Sequence, residues 1–295
     1  MRVGVIGAGK WGQALQFALS QKRTVNIHSR TKRDIDNFVD LETILDSDYL
    51  IFAISTQSVS EWLKENFQYR GQKVLIASKG IEVSTGRHLF EIFEEHIPSE
   101  NIAFLSGPSF ADEVKRSLPT ALVISSKNRE LADQFGEFFP DFIKTYSDDD
   151  VIGAEISGAY KNILAIASGV SDGLKLGNNA RASLIARGLV EMERFGDRFG
   201  AKIETFFGLS GAGDLFLTAS STLSRNYRVG LKLTESKSMD QILEELGEVA
   251  EGVKTVKAIM NIAEKENLYL PIAKEVYLMV NGKSPQESLK DLISN

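Results

Sequence analysis

The chain has 295 residues, of which 43% are hydrophobic and 25% are charged, as in ordinary soluble globular proteins, and this length can hold two domains. The formal net charge of −6 argues against a nucleic-acid partner, because nucleic acid rewards a concentrated basic face. The sequence has no cysteine, which excludes disulfides, thiolate zinc sites and cysteine nucleophiles and makes a reducing cytoplasm the expected location. No apolar run approaches the ~20 residues needed to cross a bilayer, so membrane insertion is not expected.

The three histidines give little support to a metal site or to histidine acid–base chemistry. His88 and His96 fall in a polar-looking predicted helix, where exposed side chains are expected. No bound metal is therefore predicted, and any proton transfer is assigned to Lys, Asp, Glu or Tyr.

The N-terminal segment reads as a strand, a glycine-rich turn and a helix. Val3, Val5 and Ile6 give a β-branched run typical of a strand buried on both faces. Glycines then occupy the three positions of the G-x-G-x-x-G pattern, and an apolar-periodic helix continues to residue 20; these glycines are Gly7, Gly9 and Gly12. They allow a tight turn, close approach of a pyrophosphate to the backbone and close helix–strand packing, so the segment predicts a dinucleotide site rather than a merely structural turn.

The end of the second predicted strand bears on the choice between NADH and NADPH. An NAD site usually places Asp or Glu about twenty residues beyond the glycines, where the carboxylate binds the ribose 2′-hydroxyl. This chain has Ser29 and Arg30 there, followed by Lys32 and Arg33. Because a guanidinium can bind a 2′-phosphate through two hydrogen bonds, Arg30 favours NADPH over NADH, while Lys32 and Arg33 also fit a solvated charge run.

Strands and helices alternate through the N-terminal half. Strands are predicted at 49–54, 73–77, 102–105, 120–125 and 142–146, and helices at 59–67, 86–96 and 129–138, with a helix-like piece at 41–45. This alternation predicts an α/β Rossmann domain with a doubly wound, mostly parallel sheet over residues 1–148. Ligands of such sheets collect beyond the carboxyl ends of the strands, and Lys79 and Ser109 each follow a predicted strand end.

The C-terminal half has almost no strand signal. Helices are predicted at 151–170, 180–199, 213–220, 227–233, 239–246, 254–266 and 274–280. The acidic run at 148–150 marks the predicted border. The sequence therefore predicts an all-helical second domain over residues 149–295.

Lys161 lies in a predicted helix that is apolar nearly all round, and such a helix is expected to be buried. Because a buried unpaired ammonium is costly, a lysine there either forms an ion pair, here with Glu155 or Asp214, or has a function. The functional interpretation is a general base. Lysine's ordinary pKa of ~10.4 would then have to be lowered by burial and by cations such as Lys79 or Arg225.

Three further motifs are ambiguous from their residues alone. Residues 207–214 form a second glycine-rich loop, and Asp214 at its end serves either as a helix cap or in function. The Ser-Arg-Asn run at 224–226 suits a phosphate group or an exposed helix start. Glu251 and Gly252 fit either a capped turn or a cofactor contact.

Seven segments together resemble bacterial-type NAD(P)-dependent glycerol-3-phosphate dehydrogenase. They are Gly-Ala-Gly-Lys-Trp-Gly at 7–12, Ser-Lys-Gly-Ile-Glu at 78–82, Ser-Gly-Pro-Ser-Phe-Ala-Asp-Glu-Val at 106–114, Ala-Tyr-Lys-Asn at 159–162, Gly-Ala-Gly-Asp at 211–214, Ser-Arg-Asn at 224–226 and Glu-Gly at 251–252. The resemblance implies a Rossmann domain followed by a helical substrate domain, in a homodimer. It also implies reversible reduction of dihydroxyacetone phosphate to sn-glycerol 3-phosphate with NADPH or NADH, supplying phospholipid synthesis.

The same resemblance assigns roles to individual residues. Lys161 is the implied proton acceptor. The implied substrate contacts are Lys79, Gly107, Ser109, Lys161, Asp214, Ser224, Arg225 and Asn226. The implied cofactor contacts are Gly7, Gly9, Lys10, Trp11, Gly12, Arg30, Lys79, Ala111, Arg225 and Glu251. The segment between Arg30 and Tyr49 is shorter than the family pattern. Of the assignments that the resemblance implies, the NADP preference is therefore the one that it supports least.

Two other functions stay open. A dehydrogenase of the hydroxyisobutyrate or 6-phosphogluconate kind has the same layout and also uses a helix lysine, although the Ser-Arg-Asn triplet and the Gly-Ala-Gly-Asp loop favour the first function. The other is a non-catalytic NADPH-binding regulator. Lys161 argues against it, because a sensor needs no buried proton acceptor.

Overall fold

The computed structural model describes residues 1–235, 237–247 and 250–294. It separates into two compact units, and the chain passes between them more than once. The first unit combines Met1–Lys79 with Arg87–Glu155, and the second combines Gly80–Gly86 with Ile156–Asn295. The division into residues 1–148 and 149–295 stays a prediction.

The first unit is built on a seven-stranded sheet, counted over its described residues. The strands are β1 (Val3–Ile6), β2 (Val25–His28), β3 (Tyr49–Phe52), β4 (Lys73–Ile76), β5 (Ile102–Ser106), β6 (Thr120–Ser125) and β7 (Ile143–Asp148). Their order is β2-β1-β3-β4-β5-β6-β7, and only the β5–β6 pair is antiparallel. The predicted Rossmann-type, mostly parallel sheet is therefore confirmed.

Helices cover both faces of this sheet. They are α1 (Lys10–Ser20), α2 (Leu41–Leu45), α3 (Val59–Asn66), α4 (Leu89–Glu94), α5 (Ala111–Lys115) and α6 (Arg129–Gly136). Successive strand residues point to opposite faces, so Val5 packs in a core with Leu15 of α1, while Ile6 packs in the other core with Leu63 of α3. Burial of both faces explains why the strands read as continuous apolar runs.

The segment after β2 covers the free edge of that strand. The Ile27 amide donates to the Asn37 carbonyl, and the Val39 amide donates to the Ile27 carbonyl, each over 3.0 Å. The short helix α2 follows, with Asp40 capping it by accepting from the Thr43 amide at 2.8 Å. Because residues 37–39 form hydrogen bonds along the edge of β2, the irregular loop 29–36 stays beside the end of this strand.

The expectation that His88 is exposed is wrong. His88 stands at the N-cap of α4 and is buried, and its backbone amide donates to Glu91 Oε2 at 2.9 Å. Burial lowers the pKa of the imidazole, so the neutral ring is favoured. The apolar residues Leu89 and Phe90 follow it immediately and draw the start of the helix into the core.

Glu155 is a carboxyl group buried in the first unit. Its Oε1 accepts from the Phe90 amide at 2.9 Å, at the start of α4, while no described residue is bonded to its Oε2. Burial is the largest cause that raises the pKa of Glu155 to about 8. The carboxyl is therefore mostly protonated at neutral pH.

We expect Glu155→Gln to stabilise the protein progressively as pH rises. A carboxyl whose pKa is raised on folding stabilises the fold below its ordinary value of 4.5 and loses that contribution as pH approaches about 8. Glutamine keeps the acceptor for Phe90 and does not titrate, so the variant should gain on the order of 4 kcal/mol over the wild type by pH 8. Urea unfolding from pH 4 to 9 measures this gain.

The matched control for this prediction is Glu137→Gln, an exposed glutamate of the same unit. Its unfolding should follow the wild-type curve at every pH. Equal pH dependence of the wild type and Glu155→Gln would show that the buried carboxyl does not titrate as described.

From residue 156 onwards, the described residues of the second unit form helices and no strand, as predicted. Its helices are α7 (Val151–Gly173, whose first five residues belong to the first unit), α8 (Asn178–Asp197), α9 (Ile203–Phe207), α10 (Asp214–Ala219), α11 (Arg225–Leu233), α12 (Met239–Leu246), α13 (Glu251–Glu266), α14 (Pro271–Val280) and α15 (Pro285–Ser294). A π-helical turn at Leu209–Gly213 joins α9 to α10. The helices α9 and α15 are additional to those predicted. No helix of the described chain combines the length and apolarity needed to cross a membrane.

A buried polar cluster ties α7 to two neighbouring helices. The Tyr160 hydroxyl on α7 donates to Glu191 of α8 at 2.8 Å. The same carboxylate accepts from the amides of Ile272 and Ala273 at the start of α14, over 2.8 and 2.7 Å. Burial raises the pKa of Glu191, whereas these backbone donors oppose the shift. The cluster fixes the middle of α7, next to Lys161.

Candidate functional site

The predicted glycine turn lies between β1 and α1 and is tied to β2. Gly7 has a φ of +112° and its amide donates to the His28 carbonyl at 2.8 Å. A Cβ on Gly7 would lie 2.4 Å from the Ala53 carbonyl oxygen, and one on Gly12 would lie 1.7 Å from the Gly7 oxygen. Both positions therefore require glycine, the first for its backbone conformation and the second for close packing of the helix on the turn.

The start of α1 fits an anionic group. Its N-cap Gly9 has no side-chain cap, no acidic residue occupies the first turn, and a Cβ on Gly9 would meet nothing within 4 Å. The Lys10 side chain, at the first position of the helix, is exposed. Open space, unshielded helical N–H groups and a nearby cation are the features that a pyrophosphate requires.

The indole of Trp11, predicted to contact the cofactor, has a structural hydrogen bond. Its Nε1 donates to the Ala77 carbonyl at 3.1 Å, which joins α1 to the end of β4. On the same helix, Gln13 Nε2 donates to the Ala8 carbonyl at 3.0 Å. These bonds hold the first turn of α1 against the carboxyl edge of the sheet.

Arg30 is exposed two residues beyond the end of β2. Because the Gly7 amide binds the last residue of this strand, Arg30 follows directly from the segment that carries the glycine turn. Lys32 and Arg33 are exposed as well. The three cations are thus concentrated in the loop after β2, which in Rossmann folds is where the adenosine ribose binds.

Three predicted substrate residues meet at the carboxyl ends of β4 and β5. Lys79 Nζ lies 3.4 Å from the Gly107 carbonyl, and the Ser109 hydroxyl donates to the same carbonyl at 3.1 Å. Gly107 has a φ of +104°, which lets the chain turn sharply as it leaves the strand. Ala111 then begins α5. Lys79 and Ser109 therefore follow strand ends as the sequence predicts, and Gly107 and Ala111 lie beside them on the same edge of the first unit.

Lys161 is the centre of a buried polar cluster in the second unit. The residue is 8% exposed, and its Nζ donates to Asp214 Oδ1 over 2.5 Å and to the Thr218 hydroxyl over 3.2 Å. Thr218 Oγ1 also lies 2.6 Å from the Asp214 carbonyl and 3.3 Å from its Oδ1. Of the two partners considered for Lys161, Asp214 therefore forms the ion pair.

Asp214 is not the N-cap residue of α10, a position that Gly213 occupies. Asp214 is the first residue of that helix and 1% exposed, and its carboxylate accepts from Lys161. The preceding glycines serve backbone packing: a Cβ on Gly211 would lie 2.2 Å from the Phe206 carbonyl oxygen of α9. The close approach that the glycine-rich loop predicted is thus made by another backbone segment.

The Ser-Arg-Asn run forms the start of α11. Ser224 is the N-cap, and its hydroxyl accepts from the Tyr227 amide at 3.3 Å. Arg225 is exposed, whereas Asn226 is buried. The Tyr227 hydroxyl donates to Asp172 Oδ2 of α7 over 2.5 Å, which fixes the first turn of α11 against α7.

Glu251 and Gly252 begin α13. Glu251 is half-buried, and the Gly252 amide donates to Asn226 Oδ1 at 3.0 Å. The second unit therefore brings the predicted residues of α11 and α13 together.

Both halves of the chain match a known family. Residues 32–132 match the N-terminal and residues 150–290 the C-terminal part of NAD-dependent glycerol-3-phosphate dehydrogenase. The chain belongs to this dehydrogenase family. It is 63% identical over 294 residues to the glycerol-3-phosphate dehydrogenase, NAD(P)+, of Sulfurimonas denitrificans, with 100% of this chain and 99% of that protein covered. The enzyme of the same name from Campylobacter jejuni subsp. doylei is 61% identical, with 99% of each chain covered.

A solved structure supports the assignment. The crystal structure of glycerol-3-phosphate dehydrogenase from Coxiella burnetii superposes on this chain with a TM-score of 0.91 at 31% identity. The match covers 100% of this chain and 99% of the other. The alignment therefore extends over both units.

Thr218 is a polar residue of the Lys161 cluster that the sequence analysis did not predict. Thr218 follows Asp214 by four residues on α10, and residues at that spacing share a helix face. This spacing is the signal that could have found it, once α10 was predicted. Within the described ranges, the enzyme contains no group of three or more His, Cys, Asp or Glu side chains able to hold a metal ion.

Proposed function

We propose that Lys161 exchanges the proton in the reversible reduction of dihydroxyacetone phosphate to sn-glycerol 3-phosphate. Membership of the dehydrogenase family supplies the reaction, and the buried cluster of Lys161, Asp214 and Thr218 is the observation that carries the assignment. When bound, NAD(P)H supplies the hydride for C2 of the substrate. Lys161 Nζ gives its proton to the C2 oxygen during reduction and takes it back during oxidation.

The ion pair of Lys161 with Asp214 is also what a purely structural role would show. A contribution to folding stability is a weak reason for such a pair, however, because replacing a buried ion pair with packed apolar side chains is often neutral or stabilising. In the proposed role, the Asp214 carboxylate compensates the charge of the buried ammonium. Thr218 bonds both partners and so limits the directions in which Nζ can point.

Substrate binding is proposed for the remaining predicted residues. Arg225 and Asn226 donate to the phosphate, with Ser224 completing the start of α11. Helical N–H groups and a guanidinium are suited to a phosphate, and a phosphate held away from C2 orients the reacting carbon. The strand-end residues Lys79, Gly107 and Ser109 remain part of the proposal through the family resemblance.

Cofactor binding is proposed for residues of the glycine turn and its surroundings. The uncapped start of α1, with Gly7, Gly9, Lys10 and Gly12, fits the pyrophosphate. Arg30 is proposed to bind a 2′-phosphate, which makes NADPH the preferred donor over NADH. Further predicted contacts are Trp11, Lys79, Ala111, Arg225 and Glu251.

We expect Arg30→Ala to lose the preference for NADPH. Hydrogen bonds to a charged group contribute about 1.5–3 kcal/mol, so the KM for NADPH should rise roughly tenfold or more. The KM for NADH should change little, because NADH has no 2′-phosphate. Steady-state oxidation of each cofactor with saturating dihydroxyacetone phosphate gives both values.

Matched controls for Arg30 lie in the same loop. Lys32→Ala and Arg33→Ala remove exposed cations nearby, and each should leave the ratio of the two KM values close to that of the wild type. An unchanged ratio in Arg30→Ala, or an equal loss in all three variants, would show that Arg30 does not bind the 2′-phosphate specifically.

The substrate is tested with the wild-type enzyme on three substrates. Dihydroxyacetone phosphate should be reduced, while 3-hydroxyisobutyrate and 6-phosphogluconate should not be oxidised. Cofactor binding without turnover of any of the three would instead support a non-catalytic NADPH-binding protein. We also propose a homodimer in the cytoplasm that supplies phospholipid synthesis. The family resemblance supports the dimer and the pathway, and the lack of cysteine supports the location.

A further inference from the structure

The start of α13 is bonded directly to a side chain of α11. Gly252 is the second residue of α13, and its amide donates to Asn226 Oδ1 over 3.0 Å. Both residues are buried, so water does not replace this bond. The donor belongs to the peptide group that links Glu251 to Gly252.

Only glycine fits at position 252. A Cβ there would lie 2.7 Å from Asn226 Oδ1, 2.9 Å from the Asn162 carbonyl oxygen and 3.0 Å from Ile166 Cδ1. Two of these three neighbours are polar atoms. The Asn162 oxygen belongs to α7, which carries Lys161, and Asn226 Oδ1 belongs to α11, which carries Arg225. The missing side chain therefore lets the backbone of α13 approach the Asn226 amide closely.

The bond determines which end of the Asn226 amide is used. Because Oδ1 accepts from Gly252, the Nδ2 group is the end left to face a ligand. A phosphate offers only acceptor oxygens, and Nδ2 is the donor end of an asparagine amide. Gly252 thus selects the orientation of Asn226 that a phosphate requires.

We propose that Gly252 is a positioning residue that couples the cofactor site to the phosphate site. The inference rests on the proposed function, which assigns Asn226 to the phosphate and Glu251 to the cofactor. Since one peptide group joins Glu251 to Gly252, a cofactor that fixes Glu251 also fixes the donor to Asn226 and thereby orients Nδ2. By linkage, bound phosphate must improve cofactor binding by the same factor.

The coupling can be measured at equilibrium with NADPH and sn-glycerol 3-phosphate. This pair cannot react, because both molecules are in their reduced state. Titration calorimetry gives the affinity for sn-glycerol 3-phosphate in the presence and absence of saturating NADPH. We expect NADPH to raise that affinity about tenfold in the wild type, within the usual range of coupling energies.

In Gly252→Ala, we expect the ratio of the affinities for sn-glycerol 3-phosphate with and without NADPH to fall close to one. The reason is that the added Cβ displaces Asn226 Oδ1. Lys254→Ala is the matched control: it changes an exposed residue of the same helix and should keep the wild-type ratio. A general structural defect would weaken the binding of both ligands without removing the coupling between them. A wild-type ratio of one, or an unchanged ratio in folded Gly252→Ala, would overturn the proposal.

Asn226→Asp provides a test that does not add a side chain to the crowded position. Aspartate keeps the acceptor for Gly252 but has no Nδ2 donor, so affinity for sn-glycerol 3-phosphate should fall at least tenfold. Unchanged affinity would overturn the assigned orientation. If the wild type neither binds sn-glycerol 3-phosphate nor reduces dihydroxyacetone phosphate, the proposed function itself fails, and the two failures are thereby distinguished.

Discussion

Lys161→Ala should lose turnover by about a thousandfold while still binding NADPH, because a positioned proton donor typically contributes 10²–10⁴-fold to rate. The reduced substrate would have to take its proton from water or from a less suitable group. Steady-state reduction of dihydroxyacetone phosphate measures the loss, and fluorescence titration with NADPH confirms the cofactor site. Near-wild-type turnover would show that Lys161 serves only the ion pair.

The structure indicates how to separate this chemical effect from unfolding. Removing Lys161 alone leaves the Asp214 carboxylate buried without its cation, which costs on the order of 3–5 kcal/mol of stability. The double variant Lys161→Met and Asp214→Asn removes both charges and should recover most of that stability. It should remain inactive at restored stability, which would show that the loss of turnover in Lys161→Ala does not arise from unfolding.

Arg225→Ala should raise the KM for dihydroxyacetone phosphate about a hundredfold. Arg225 is exposed at the start of α11, next to buried Asn226, and it is proposed to bind the phosphate. Two charged hydrogen bonds of about 1.5–3 kcal/mol each are sufficient for an effect of this size. Because phosphate binding also orients C2, kcat should fall more modestly. Initial rates over a wide substrate range separate the two parameters.

A substrate without the phosphate provides the internal control for Arg225. Activity of Arg225→Ala on dihydroxyacetone should resemble that of the wild type, so the preference for the phosphorylated substrate should fall by the same factor as the affinity. Arg198→Ala, which removes an exposed arginine paired with Glu266, should change neither activity. With NADPH saturating in every assay, equal loss on both substrates would show that Arg225 does not bind the phosphate.

Local patterns predicted most of the fold. The β-branched run at β1, the glycine turn and the periodic helix after it depend on neighbouring residues, and their spacing fixed the nucleotide-binding segment. The helical half was predicted for the same reason. The short helix α9 was missed because five residues give little periodicity, and α14 begins three residues before its predicted start because Pro271 suits a first helical turn.

The partners of buried polar groups could not be predicted in the same way. Lys161 and Asp214 are separated by 53 positions, and no local pattern distinguishes Asp214 from Glu155 as the partner. His88 looked exposed because its neighbours on one side are charged, whereas packing of Leu89 and Phe90 draws it inward. The bond from Gly252 to Asn226 likewise depends on how α13 meets α11. Such contacts follow from tertiary packing, which local patterns do not determine.

The most direct test of Lys161 is a single-turnover measurement of the reduced nicotinamide absorbance. Enzyme holding one equivalent of NADPH is mixed rapidly with excess dihydroxyacetone phosphate, so that product release does not limit the signal. We predict that the rate constant for loss of that absorbance falls about a thousandfold in Lys161→Ala, while the substrate concentration giving half the maximal rate changes little. A rate constant equal to that of the wild type would contradict proton transfer by Lys161.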